Sequence, residues 1–322
     1  MREQALILCG LEYLEKQSSV ELPTGNGNNV LKRRLLLWAF YLASWMPRSF
    51  AQWFGRQLGR VLWLTNTEAR RITEINVGLC YPSLSEAERE TLARQSLIAT
   101  AMTALETPSV WLGKREKLAR WITTTHGLKA FDALCGQGRG VLLIVPHIGN
   151  WELFNAYHAA RGKRLTALFR PPRQAAMAGI IHYLRAQFGN HMVPTTARGI
   201  VQLFKRLQRG EVVAVLPDQV PESGVFASFF GQAALTDRLA HRLVQKTDAS
   251  VVMMGLLRNE DGLFDLHLVP IDGLNNPNED EALSDLNLAI QQLVQRAPAQ
   301  YQWEYKRFKR QPGGARDPYL KS

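Results

Sequence analysis

A chain of 322 residues with 46% hydrophobic content is long enough to bury one large core with helical additions, which excludes global disorder. Its 39 Lys and Arg against 28 Asp and Glu, a formal net charge of +11, direct it toward anionic partners: nucleic acid, anionic lipid headgroups, or an acidic carrier protein or phosphorylated small molecule. The three cysteines, Cys9, Cys80 and Cys135, form neither a CxxC pair nor a Cys/His cluster, so a disulfide framework and a zinc site are not expected and a reducing, cytoplasmic setting is.

Glu3, Glu12 and Glu15 interrupt the first apolar positions, so no export signal is expected there. Residues 17–30 collect Ser, Pro, Gly and Asn and read as a flexible connection, which makes residues 1–30 an appendage. From Leu31 to about Asn76 the pattern is helical and crowded with Trp38, Phe40, Tyr41, Trp45, Phe50, Trp53, Phe54 and Trp63, edged by Lys32, Arg33, Arg34, Arg48, Arg56 and Arg60. Such a pattern fits either an interfacial helix on an anionic membrane or the core of a helical bundle. The longest uncharged run, residues 35–46, stops at Pro47 and Arg48, short of the roughly 20 residues a spanning helix needs.

Residues 82–130 read as helical, with Ser83 or Ser85 as the cap, and complete a helical layer over 31–130. The chain then alternates between strand-like runs (141–147, 164–170, HMVPT, 211–218, SVVMMGLLR, FDLHLVPI) and helices of about a dozen residues. That order predicts an α/β domain over 131–312, a mostly parallel sheet flanked by helices, followed by a tail over 313–322. The predicted whole is an α/β protein with N-terminal helices, membrane-associated on the interfacial reading of their aromatics.

Ligands of parallel sheets gather at the carboxyl ends of strands. There the strand VLLIVP gives way to HIGNWE, with His147 at the strand end, Gly149 at a bend and Glu152 in the first turn of the next helix. A carboxylate at that distance is expected to accept from one imidazole nitrogen, leaving the other as a base for a hydroxyl. No Ser or Cys is placed beside it as a nucleophile, so direct attack by a substrate hydroxyl is a simpler scheme than a covalent enzyme intermediate, with the backbone amides near Gly149 and Asn150 expected at the oxyanion. The glycines of GQGRG precede a strand instead of opening a helix after one, so a dinucleotide fingerprint is not supported; no metal and no cofactor are expected.

Six blocks in order, NVGLCYPSLSEAERE (76–90), GRGVLLIVPHIGNWE (138–152), FRPPR (169–173), VVAVLPDQVP (212–221), FFGQAALT (229–236) and YQWEYKRFKRQP (301–312), make the chain similar to the bacterial lipid A biosynthesis acyltransferases, the lauroyl/myristoyl transferase family. The resemblance spans about residues 31–312. It implies a glycerolipid-acyltransferase-like fold, His147 and Glu152 as the catalytic H-x4-D/E motif, Arg170 as a phosphate-binding position, and Asp218 with Gln219 as an orienting block. It also implies an acyl carrier protein thioester (or a coenzyme A thioester) as donor, a glycolipid acceptor, and a peripheral or monotopic place on the cytoplasmic face of the inner membrane. A lysophospholipid or aminolipid acceptor, and a non-enzymatic basic membrane- or nucleic-acid-binding module, are the rival readings.

Two further features are left open by the residues themselves. Phe229 and Phe230 either line an acyl tunnel or pack in the core. Lys306, Arg307, Lys309 and Arg310, interleaved with Trp303, Tyr305 and Phe308, suit an acidic carrier or a phosphorylated lipid better than nucleic acid, since no recognition helix, zinc ligand set or RNP-like strand accompanies them.

Overall fold

The computed structural model describes residues 38–169 and 188–320. Residues 38–44 are helical. Four helices then lead to the sheet: α1 (Arg48–Leu64), α2 (Glu68–Cys80), α3 (Glu86–Leu112) and α4 (Arg115–Ala119). Ser85 caps α3 through a full capping box with Glu88, which satisfies two otherwise orphaned amide donors.

Among the described residues the main sheet has seven strands in the order β1-β9-β8-β2-β5-β3-β4, with β1 Ile122–His126, β2 Val141–Ile144, β3 Leu165–Phe169, β4 His191–Pro194, β5 Val212–Val215, β8 Ser250–Arg258 and β9 Phe264–Pro270. Pairing from β8 through β2, β5 and β3 to β4 is parallel, and β9 runs antiparallel to β8. Among the described residues, helices α5 (Leu128–Gly136), α6 (Leu153–Ala160), α7 (Ala197–Gln208), α8 (Leu239–Thr247) and α9 (Glu279–Arg296) accompany these strands. Two apolar clusters cover its faces, one holding Leu142, Ile144, Val213 and Val251, the other Leu143, Leu165, Ala214 and Met254. Strands buried on both faces account for the unbroken apolar runs of β2 and β5.

Two segments differ from the sequence expectation. Residues 122–126, read as part of the helical layer, form the edge strand β1, largely exposed and parallel to β9. Residues 225–236, read as mostly loop, form a separate hairpin of β6 (Val225–Phe229) and β7 (Gln232–Thr236).

Helix α1 is packed inside out for a helix in water. Its small residues Ala51, Gly55 and Gly59 face α3, where a Cβ on Gly55 or Gly59 would lie 2.6 or 2.5 Å from the backbone of Met102 or Ile98. Phe50, Trp53, Phe54, Leu58, Val61 and Leu64 are exposed, as are Trp38, Leu42 and Trp45 before them. Most of the N-terminal aromatics are therefore not core, although Trp63 is buried and Phe40 stacks on Trp111. Among the described residues no helix is long and apolar enough to cross a membrane.

Candidate active site

Strand pairing brings the site together. Ile144 of β2 stands opposite Val215 of β5, and each chain continues three residues further, so His147 and Asp218 face each other at the carboxyl ends of two adjacent strands. Pro146 and Pro217, which have no N–H to give to a ladder, end the pairing on both sides. The His147 Nδ1 lies 2.8 Å from Asp218 Oδ1, and the His147 amide donates to Oδ2 at 2.7 Å. One carboxylate thus fixes both the ring and the backbone of the histidine. Buried Tyr301 hydrogen-bonds to the same group.

Burial works to raise the Asp218 carboxyl, but the facing imidazole and the hydrogen bonds from His147 outweigh it and hold the group below the usual carboxylate value. An ionised Asp218 makes Nδ1 the protonated nitrogen, so Nε2 carries the lone pair. Nε2 is 3.4 Å from Gln219 Nε2, and the Trp151 ring stands edge-on to the imidazole at 4.9 Å.

Glu152 was the carboxylate expected to accept from one imidazole nitrogen; at Nδ1 the carboxylate is Asp218. Glu152 is the N-cap residue of α6, is 6% exposed and lines two cavities next to His147. The expected oxyanion role of the Gly149 and Asn150 amides is corrected as well. Gly149 N–H donates to Gln300 O at 2.9 Å and Asn150 N–H to Leu256 O at 3.0 Å, so both are already engaged. What these two residues do is seat the loop that follows His147. Gly149 has φ +61°, and a Cβ on it would fall 1.8 Å from Leu256 O, so only glycine fits the bend.

A buried network that the sequence did not point to anchors the same loop. Glu106 of α3, fully buried, accepts from Asn150 Nδ2 (2.9 Å) and Gln52 Nε2 (2.7 Å) and pairs with Arg258 at the end of β8. Arg258 N–H in turn donates to Gln300 Oε1 at 2.7 Å. Each partner lies far away in sequence, and only the fold shows the connection.

Two cavities meet at His147, Trp151 and Glu152. One, of about 330 Å³, runs under α6 along the sheet, with Phe154, Ala167, Ala214 and Met254 among its lining residues. The other, of about 230 Å³, follows α3 along Thr100, Thr103, Thr107 and Trp111 and reaches Gln302 and Glu304. Gln219, the expected substrate contact, lines the first. Arg170 lies outside the described residues. Phe229 and Phe230 are core side chains, 1% and 9% exposed. In the C-terminal basic block Arg307 is buried, bonded to Leu235 O and Thr236, and Lys306 pairs with Glu68; Lys309 and Arg310 are exposed. Among the described residues no group of three or more His, Cys, Asp and Glu stands together as a metal site.

A mostly parallel sheet with a His–Asp pair at adjacent strand ends, opening onto two cavities in whose lining no serine or cysteine stands among the described residues, has the architecture of an α/β enzyme. Residues 31–310 match the sequence model of the bacterial lipid A biosynthesis acyltransferases, and the chain belongs to that family. It is 27% identical over 288 residues to the lipid A biosynthesis acyltransferase 2 of Shigella flexneri, covering 86% of this chain and 89% of that one. It is 26% identical over 286 residues to the lipid A biosynthesis lauroyltransferase of Escherichia coli K12 (87% and 92% covered). It is 27% identical over 301 residues to the palmitoleoyltransferase of the same organism (85% and 96% covered). The chain is therefore an acyltransferase of lipid A biosynthesis type.

Proposed function

We propose that this acyltransferase moves a fatty acyl group from an acyl carrier protein thioester, or less often a coenzyme A thioester, to a hydroxyl of a lipid A precursor. His147 Nε2 removes the hydroxyl proton as the oxygen attacks the thioester carbonyl, and Asp218 stabilises the imidazolium that forms. The tetrahedral intermediate collapses with cleavage of the C–S bond, and the imidazolium returns its proton to the departing thiolate. With the Gly149 and Asn150 amides engaged elsewhere, the side-chain amide of Gln219 is assigned to the oxyanion. Glu152, on the wall common to both cavities, contacts substrate there, and Arg170 keeps its assigned role at a phosphate of donor or acceptor.

The observation that carries this reading is the His147–Asp218 pair at the junction of two cavities, which suits two substrates meeting at one base. The test supplies labelled acyl carrier protein and coenzyme A thioesters with a lipid A precursor, a lysophospholipid or an aminolipid. Transfer to the precursor that disappears in His147→Ala, with fold retained, is expected. Equal turnover by that variant, or transfer only to the other lipids, defeats the assignment.

We also infer a peripheral seat on the cytoplasmic face of the inner membrane. The outward aromatic face of α1, with Arg56 and Arg60 exposed beside it, has the composition of an interfacial helix, each basic residue contributing about 1 kcal/mol near an anionic leaflet. Replacing Trp53 and Phe54 together with serine should lower cosedimentation with anionic vesicles at least tenfold. Unchanged cosedimentation would remove α1 from the docking surface.

A further inference from the structure

A pair of small residues lines the cavity beneath α6. Neighbouring strands β3 and β5 set Leu165 beside Val212 and, two positions nearer the catalytic end, Ala167 beside Ala214. Side chains alternate between the faces of a sheet, so both pairs lie on the same face, the one α6 covers. Two methyl groups where their neighbours carry branched chains leave the sheet and α6 apart, and the cavity of about 330 Å³ fills that gap from His147 back to Leu165.

Leu165 is also the boundary of another space. It is 2% exposed, and with Val212 it lines a cavity of about 550 Å³ around the starts of β3 and β5. That second space is charged. Lys163 pairs with Asp132 and Arg206 with Glu211, each at 2.8 Å, and Arg164 stands beside them. A hydrocarbon chain advancing from His147 would therefore meet first a wall one leucine thick and then ion pairs, where burying methylene groups gains nothing.

We propose that Leu165, backed by its neighbour Val212, is the stop against which the terminal methyl of the acyl chain seats, and that Leu165, with Ala167 and Ala214, sets the length of chain the enzyme transfers. The proposal rests on the acyl-transfer reading above and adds to it where the chain lies and what limits it. Each methylene that gains cover is worth about a fourfold preference. A methylene too many must force apart a packed wall, which costs comparably or more. A steep optimum at one length follows.

The test measures kcat/KM of the full-length protein for a series of saturated acyl carrier protein thioesters. Leu165→Ala removes the branched end of the stop and is expected to move the optimum longer by about two carbons, raising the longer chain relative to the parent optimum about 15-fold. Ala214→Val fills space that is already empty, so folding is not threatened, and it should move the optimum shorter. The shift also has a ceiling: chains much longer still reach the charged cavity and should gain nothing. Thermal melting identifies a Leu165→Ala protein that has failed to fold, in which case the Ala214→Val profile decides. A wild type that transfers acyl groups while the folded variants keep its optimum overturns the stop. A wild type that transfers none from any thioester overturns the acyl-transfer reading and the stop with it.

Discussion

Asp218→Asn should lower kcat by about 10³ to 10⁴-fold while leaving the protein folded. The reason is tautomeric. An asparagine at this position fits the same space, but its amide can present an N–H to Nδ1, which favours the imidazole protonated at Nε2 and so removes the lone pair the reaction needs. Because the His147 amide also donates to Asp218, at 2.7 Å, the substitution loosens the strand end as well as the ring. Glu152→Gln is expected to act differently: it alters the wall shared by both cavities without touching Nδ1, so its effect should appear in KM for the acceptor as well as in kcat. Steady-state kinetics on both variants tests the assignment. Near-normal kcat in Asp218→Asn together with a collapse in Glu152→Gln would return the partnership to Glu152.

The same carboxylate has a signature in stability. Its folded pKa is depressed, so the stabilisation it contributes is present above the unfolded carboxylate value of about 3.9 and is lost as pH falls through the lower folded one. Acid unfolding of the wild type should therefore steepen below that range. Asp218→Asn should remove that component.

The parallel sheet was legible because its strands are buried on both sides and read as unbroken apolar runs, and helix α3 because a serine cap, Ser83 or Ser85, precedes the Glu-rich turn; the structure puts the cap at Ser85. His147 and Asp218 were both visible as strand-end residues. Their partnership was not, because adjacency of β2 and β5 is a matter of strand order, and β3 and β4 intervene between them in the chain. Sequence proximity favoured Glu152 instead, five residues from His147 but at the start of α6.

Edge strand β1 escaped notice because ITTTH carries almost no apolar signal, as suits a strand whose side chains are mostly exposed. The β6–β7 turn hid for another reason. Its two left-handed positions are Phe230 (φ +51°) and Gly231 (φ +73°), where Asn-Gly is the usual pair. Phe230 is held there by a hydrogen bond from its amide to Gln291 and by packing on Tyr81 and Trp303, so tertiary contacts override the local preference. The aromatic run of α1 was equally suited to core or interface, and what separates them is the stripe of Ala51, Gly55 and Gly59, legible only once α3 is seen lying against it.

Glu106→Ala should cost about 3 to 5 kcal/mol of stability and depress transfer, although Glu106 lies on α3 and lines neither cavity. The carboxylate is fully buried and its ion partner Arg258 has a side chain only 8% exposed, so truncating it leaves a guanidinium in the interior without its counter-charge. It also frees the side chain of Asn150, and with it the bend that presents His147. On an otherwise similar protein the loss corresponds to a melting temperature lower by about 10 °C. The paired change Glu106→Met with Arg258→Met separates the two consequences. It removes the uncompensated charge and should recover much of the stability, since buried ion pairs are replaceable by apolar groups of similar volume. It cannot restore the hydrogen bond to Asn150, nor the 3.1 Å contact from Arg258 to Thr103, so the rate should stay low. Calorimetry and kcat measured on the same preparations tell these apart. A double variant that regains activity together with stability would show that Glu106 serves the fold alone, and that the catalytic loop is held by Gln300 and Leu256 without it.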